Sequence, residues 1–333
     1  MIHGGALWER GRPPEVKDFS VNLNPLGTPA FLEELIEEAV KRGVHKFYPD
    51  DYSSLKQVIA EVYGVDPGLV GVFNGATEAI RLLGKGFSVP EPNFVEYPRS
   101  SIYLAEEVGD SFRFPIRGEK VIISNPNNPT GAEASFNEVL SALQLGKEVV
   151  VDESFADIGL VKSFAKYVEE FPNLLVISTF TKSLSVPGLR IGFTLGAKSR
   201  ELEVKAIPWR VNSIAYYVFS NVDPKEVRRF FAESRRKVEE LLAIYSSKKL
   251  PGKAYRSRAP FFLWRTPCTS RDVVRYLLGK GYLVRDASNF IGLDSHYIRV
   301  ALKDGFEDVI QFVLNLCENY QRVLKGSFKV LYR

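Results

Sequence analysis

Four polar clusters in this chain directly follow short apolar runs. "LVGVF" (69–73) leads into Asn74-Gly75-Ala76-Thr77, a turn and helix start whose backbone N–H groups suit an anion. "VIIS" (121–124) leads into "NPNNPTG" (125–131), where two prolines and a glycine stop the strand and three side-chain amides crowd one turn. "EVVVD" (148–152) ends on Asp152, a carboxylate that is costly to bury without a partner. "STFTKSLSVPGLRIGF" (178–193) places Lys182 in a Ser/Thr-rich turn between strands, eight residues before Arg190. Anion donors, amides, an acid, an amine nucleophile and a guanidinium thus recur in one kind of place. Taken singly, each has an ordinary structural explanation: a capped helix, a turn, an N-cap, a solvated loop lysine.

The elements that must position them follow from the apolar pattern. Short runs at 69–73, 121–124, 148–152, 174–179 and 190–196 are β-branched and do not alternate, which suits a mostly parallel sheet covered on both faces by helices. In such a sheet, ligands bind outside the carboxyl ends of the strands, so the clusters converge on one crevice. Helical spacing marks 31–42, 54–63 and 223–247, the last with Pro224 near its start. Strand-like pieces at 261–265, 282–285 and 297–300, with helices between them, predict a smaller α+β domain. The expected division is an N-terminal arm (1–30), a large α/β domain (31–222), and a linking helix with the small domain (223–333).

Composition excludes several classes. The 333 residues are 45% hydrophobic with a net charge of +4, and no long basic run argues for nucleic acid. Cys268 and Cys317, far apart and without a CxxC partner, argue against a zinc site or a disulfide framework and suit a reducing cytoplasm. The opening "MIHGGALWERGRPPE" lacks the apolar core of a signal peptide, and no apolar run is long enough to span a membrane.

In this order, the four clusters resemble pyridoxal phosphate enzymes of the aspartate aminotransferase fold, over nearly the whole chain. "NPNNPTG" and "TFTKSLSVPGLRIG" are the most specific motifs. The resemblance implies that Lys182 attaches the cofactor covalently and that Asp152 keeps the pyridine nitrogen protonated. It further implies that Asn128 donates to the ring 3-oxygen. Thr179, Arg190 and the Ala76 and Thr77 amides would hold the 5′-phosphate. Phe94 would stack on the ring. Tyr48 would reach the phosphate from a partner subunit, which requires a homodimer.

Within that fold, "HGGALWE", "DFSVNLNPLGTP", "PWRVNS" (208–213) and "VRDASNFIGLDSHYIRVALK" (284–303) most resemble threonine-phosphate decarboxylases, which supply aminopropanol phosphate for cobamide synthesis. Histidinol-phosphate aminotransferases are the next resemblance. Phe155, with no hydrogen-bond donor, stands where the aminotransferases commonly carry a tyrosine. The resemblance implies a phosphorylated amino compound as substrate, with Arg299 on its carboxylate, Arg285 on its phosphate, and His3 and Asn24 contributed by the arm. Decarboxylation and transamination differ only in which Cα bond stands perpendicular to the ring, and the residues alone leave that open. Another amino acid aminotransferase using 2-oxoglutarate or glutamate is the third reading, and a non-catalytic regulator built on the same fold the last. The stretch 105–120 is shorter than the excursion usual in this fold, so the edge strands there are uncertain in number.

Overall fold

The computed structural model describes residues 4–330 except 6, 7 and 14, with side chains described through residue 318; His3 lies outside the described residues. The chain enters through β1 (Lys17–Asp18), then α1 (Ala30–Lys41) and α2 (Ser53–Tyr63). Each helix buries the apolar stripe its spacing predicts, Leu32 and Ala39 in α1, and Leu55, Ile59 and Val62 in α2. There follow β2 (Val70–Phe73), α3 (Ala76–Leu82), β3 (Ser88–Glu91), β4 (Ser101–Leu104), β5 (Glu106–Val108), β6 (Ser111–Arg113), β7 (Lys120–Ser124) and α4 (Phe136–Gln144). Next come β8 (Glu148–Asp152), β9 (Leu174–Ser178), α5 (Phe180–Ser183), β10 (Gly192–Leu195), α6 (Ser199–Lys205), α7 (Ser213–Asn221) and the long α8 (Pro224–Ser247). Asp223 caps α8 by accepting from Lys225 N, and Pro224 sits at its first position. The last part holds β11 (Lys253–Ala254), β12 (Phe261–Arg265), α9 (Ser270–Leu278), β13 (Tyr282–Leu283), β14 (Arg285–Asp286), β15 (Tyr297–Ala301) and α10 (Phe306–Val330).

Seven strands form the main sheet in the order β2-β10-β9-β8-β7-β3-β4. Neighbours are parallel except for β10, which runs antiparallel to both β2 and β9. The carboxyl ends of β2, β3, β7, β8 and β9 therefore share one edge, and the start of β10 lies on that same edge. This is why the polar clusters meet. Both faces are buried: Val121, Val149, Val151, Leu174 and Val176 pack on one side with α1, α2 and α7, while Ile122, Val150, Leu175 and Ile177 pack on the other with Ala79 and Ile80 of α3. Asp152 shares its face with Val150.

A second, antiparallel sheet has the order β11-β12-β15-β14, packed on α8, α9 and α10 around Phe262, Trp264 and Ile298. β1 pairs in parallel with β13, which attaches the arm to this second sheet's side of the molecule. The expected strand at 282–285 is thus two short strands with different partners, since β13 joins β1 while β14 joins β15. The abbreviated 105–120 stretch forms the β5–β6 hairpin. Lys182 stands in the one-turn helix α5, capped by Thr179, and not in an irregular turn as its Ser/Thr-rich surroundings suggested. Among the described residues, no helix is long and apolar enough to cross a membrane.

Candidate active site

A cavity of about 450 Å³ opens where the strand ends of the main sheet face the second sheet and the arm. Lys182, Asp152, Asn128, Phe94, Thr179, Arg190, Ala76, Thr77, Arg285 and Arg299 all line it. Two predicted residues do not. Asn24 is buried with its amide consumed: Nδ2 donates to Ser183 O (2.7 Å) and to Ser234 Oγ (2.7 Å), while Oδ1 accepts from Leu26 N (3.0 Å). The substrate role expected of it is therefore corrected to a tether between arm, α5 and α8. Tyr48 is 76% exposed and stacks on Trp209, with ring centroids 4.4 Å apart, away from its own chain's cavity.

Asp152 ends β8 in full burial. Oδ2 accepts from Tyr97 Oη (2.7 Å), and Oδ1 from Ser154 N (2.9 Å) and Ser154 Oγ (2.6 Å). All three donors are neutral. Burial raises its pKa, opposed by the bonds from Ser154 and Tyr97, so a cationic N–H in the cavity is the partner this carboxylate lacks.

The three amides of "NPNNPTG" divide their work. Asn125 donates to Lys162 O (2.9 Å) and accepts from Ala134 N (3.1 Å). Asn127 accepts from Thr130 N (3.1 Å) and Oγ1 (2.7 Å) and donates to Pro92 O (3.2 Å). Those two hold the turn. Asn128 Oδ1 accepts from Arg299 Nη1, and because a guanidinium only donates, the NH₂ of Asn128 is left for the cavity.

At the other end, Arg190 adopts φ 56°, a left-handed conformation uncommon for a side-chain-bearing residue. A Cβ on Gly75 would lie 2.5 Å from Arg190 Nη2, and one on Gly192 would lie 2.2 Å from Ala76 N. Only glycines permit this close approach of guanidinium, turn and first-turn amides. Ala76 N and Thr77 N lie in the first turn of α3, where donors have no intrahelical acceptor. Thr179 Oγ1 donates to Ile191 O and caps Thr181 N, and Thr181 Oγ1 also donates to Ile191 O (3.1 Å). Both hydroxyls thus fix the Arg190–Ile191 backbone as well as lining the cavity.

Lys182 faces the cavity with protein on every other side. Burial first, then the Arg299 and Arg190 charges, lower its pKa to about 8. Arg299 is buried and its pKa is pushed down to about 9, by burial and then by Arg285. Its Nη2 donates to Ser20 O (2.7 Å), its Nε has no partner, and its guanidinium lies 5.3 Å from the Phe261 ring centroid. Arg285 donates to Asn289 Oδ1 (2.7 Å) and lies over Phe290. These two arginines are directly opposed across the β14–β15 ladder. Asn22, 2% exposed, lines the same cavity with both amide atoms unpartnered.

Family comparison agrees with this geometry. The model for aminotransferase class I and II matches residues 113–305. The chain belongs to the class I and II aminotransferase family. It is 33% identical over 320 residues to a candidate threonine-phosphate decarboxylase of Caldanaerobacter subterraneus subsp. tengcongensis, covering 85% of this chain and 84% of that protein. It is 30% identical over 322 residues to the histidinol-phosphate aminotransferase of Pyrococcus furiosus, covering 86% of this chain and 88% of that one. The solved histidinol-phosphate aminotransferase of Clostridium acetobutylicum superposes with a TM-score of 0.78 at 24% identity, over 91% of this chain and all (100%) of that one. The fold is that of the aspartate aminotransferase-like enzymes.

As a member of this aminotransferase family the chain is a pyridoxal phosphate-dependent enzyme. Its residues fit that cofactor. Asp152 would meet the ring nitrogen's charge, the Asn128 amide would offer a donor, and the Gly75–Arg190–Gly192 cradle would accept a phosphate. Tyr97, Ser154, Thr181 and Asn22 were not singled out from sequence. Tyr97 stands three residues after Phe94, but nothing local shows that it points at Asp152.

Two outcomes follow. Tyr97→Phe removes one donor from Asp152, and a hydrogen bond to a charged group contributes about 1.5–3 kcal/mol. Turnover should fall on the order of 10- to 100-fold in protein that still folds; unchanged turnover would show that Asp152 does not need Tyr97. Separately, covalent capture of pyridoxal phosphate by cofactor-free protein, followed by rapid-mixing absorbance, should accelerate roughly tenfold per pH unit, because the neutral amine is the nucleophile. The rise should level near pH 8, where Lys182 loses its proton. A rate still climbing beyond pH 10 would mean that burial does not act on this lysine.

Proposed function

We propose that the enzyme decarboxylates an O-phosphorylated amino acid, L-threonine O-3-phosphate, to aminopropanol phosphate for cobamide synthesis. One observation carries the reading: Arg285 and Arg299 are both buried and directly opposed on one ladder. Two guanidiniums facing one cavity suit a ligand that carries more than one anionic group. Phosphothreonine brings a phosphate and a carboxylate in one molecule. Histidinol phosphate brings only the phosphate. The similarity to a candidate threonine-phosphate decarboxylase supports the same branch.

Arg299 would grip the carboxylate and Arg285 the phosphate, with the unpartnered Asn22 amide beside them. Arg299 is seated by three contacts, the Ser20 carbonyl, the Asn128 oxygen and the Phe261 face, and Phe155 packs edge-on against Phe261 at 5.1 Å. Phe155 therefore supports the clamp through packing and offers no donor of its own. When bound, the protonated cofactor ring takes up the electron pair left at the substrate Cα. Asp152 keeps the ring nitrogen charged, and Lys182, an amine with its pKa near 8, carries protons at that carbon.

The similarity to histidinol-phosphate aminotransferase favours a second reading, amino transfer to a 2-oxo acid. Incubation with phosphothreonine alone separates the two. Sustained carbon dioxide release with the cofactor's yellow band retained is the expected result. Bleaching of that band without carbon dioxide, and turnover of histidinol phosphate with 2-oxoglutarate, would establish the transaminase instead. In either case Arg285→Ala should weaken phosphorylated substrates on the order of 10-fold or more relative to unphosphorylated ones, since a charge-assisted contact is lost only from the former.

A homodimer with shared sites is part of the proposal. Phe47, Tyr48 and Trp209 are 70%, 76% and 56% exposed, an aromatic patch too large to be left in water without use. Mixing Tyr48→Phe chains with Lys182→Ala chains should restore about half of wild-type activity per mixed dimer, because one site then receives both intact residues. Persistent inactivity of the mixture, with both parents inactive, would place Tyr48 in its own chain's service.

A further inference from the structure

We propose that Cys268 and Cys317 form an intramolecular cystine that clasps α10 to the connection between β12 and α9. The chain has only two cysteines, and sequence spacing gave them no relation. Yet the fold brings their Sγ atoms to 3.0 Å across 49 residues of chain. Both are reduced here, and both are buried, at 1% and 2% exposure. Cys268 immediately precedes Thr269, the cap of α9, while Cys317 lies on α10. Bonding requires the sulfurs to close by about 1 Å, to roughly 2.05 Å. Val273, Leu277 and Val313 belong to the same buried cluster, so the pair sits in a packed environment that already holds it together.

The enclosed segment, 268–317, contains α9, β13, β14 and β15, and thus both substrate-facing arginines. A cross-link there restricts the unfolded chain and resists separation of α10 from the connection between β12 and α9. The chemistry is thiol–disulfide exchange with a low-molecular-weight disulfide. One cysteine thiolate attacks that disulfide, forming a mixed disulfide and expelling one small thiolate. The other cysteine thiolate then attacks the protein sulfur of the mixed disulfide, forming the Cys268–Cys317 bond and expelling the second. The protein loses two electrons and two protons, and the small disulfide is reduced to two thiols. Burial and the Cys317 hydrogen bond push the Cys268 thiol up to about 12, so little thiolate exists in the closed fold. The bond is accordingly made during folding, while the sulfurs are exposed, and is slow to reduce afterwards.

The test uses the full chain, refolded in oxidised and in reduced glutathione. After the oxidised arm, a thiol reagent in denaturant should find no free thiol. The intact mass should be about 2 Da lower, and a digest should yield one peptide pair joining Cys268 to Cys317. The melting temperature should fall on the order of 5 °C when reductant is added to unfolded oxidised protein before refolding. The Cys268→Ala/Cys317→Ala variant should show no such dependence. Two titratable thiols in the oxidised arm, or an intermolecular disulfide, would overturn the proposal. If the double variant does not fold, the thiol count and peptide map of the wild-type chain still decide.

Discussion

A carboxylate buried at the end of a central strand, with only neutral hydrogen-bond donors around it, is the constraint on which this molecule's arrangement rests. Asp152 follows Val149, Val150 and Val151, all fully buried, so β8 delivers it to a place water does not reach. Tyr97 and Ser154 stabilise the charged form, yet burial outweighs them and raises its pKa. A carboxylate left without a cation is unfavourable in such a site. A cation seated against Asp152, as a protonated ring nitrogen would be, would relieve that imbalance. The main sheet's parallel order brings the Asn128 turn, the Lys182 helix and the Gly75 turn to the same edge.

The opposite charge is in excess a short distance away. Lys182, Arg299, Arg285 and Arg190 all line one cavity, and both Lys182 and Arg299 have pKa values lowered by burial and by neighbouring cations. Such a cluster suits ligands rich in negative charge. Arg190, which stands beside Gly75 and the start of α3, is placed where a cofactor phosphate would be held. The two arginines on β14 and β15 line the same cavity from the side of the second sheet. The cavity thus carries one buried carboxylate and several cations on its walls.

What the sequence made legible was whatever depends on local pattern. Strand ends carrying polar clusters and the amphipathic α1, α2 and α8 are consequences of spacing, whereas the roles expected of the residues inside the motifs came from the family resemblance. Contacts decided by tertiary packing were not legible. Asn22 and Asn24 stand two apart in "VNLNP", and only the path of the arm decides that Asn22 faces the cavity while Asn24 ties down α5. Tyr97 reaches Asp152 across 55 residues of chain. The reversed direction of β10 also escaped, since an apolar run has no sign of its direction. In "PWRVNS", Arg210 donates to Val72 O and Glu203, while Asn212 caps α7 and donates to Leu189 O. The motif therefore braces the backbone next to Arg190 instead of joining the cavity.

The arm explains how two sheets that share no strand hold one geometry. β1 pairs with β13; Phe19 N donates to Leu283 O (2.7 Å), and Phe19 O accepts from Ala301 N (2.9 Å) at the end of β15. One residue on, Ser20 O accepts from Arg299, and Gly4 packs on that same carbonyl so closely that a Cβ would come within 2.3 Å of it. Asn24 N then donates to Lys182 O (3.0 Å), and its side chain bonds Ser183 and Ser234. Within a handful of residues the chain is fastened to the sheet carrying the arginines and to the helix carrying the lysine. The separation between the anion grip and the amine is thus set by a short extended segment. A displacement of the arm would therefore move Arg299 and Lys182 relative to each other, although neither residue lies on it.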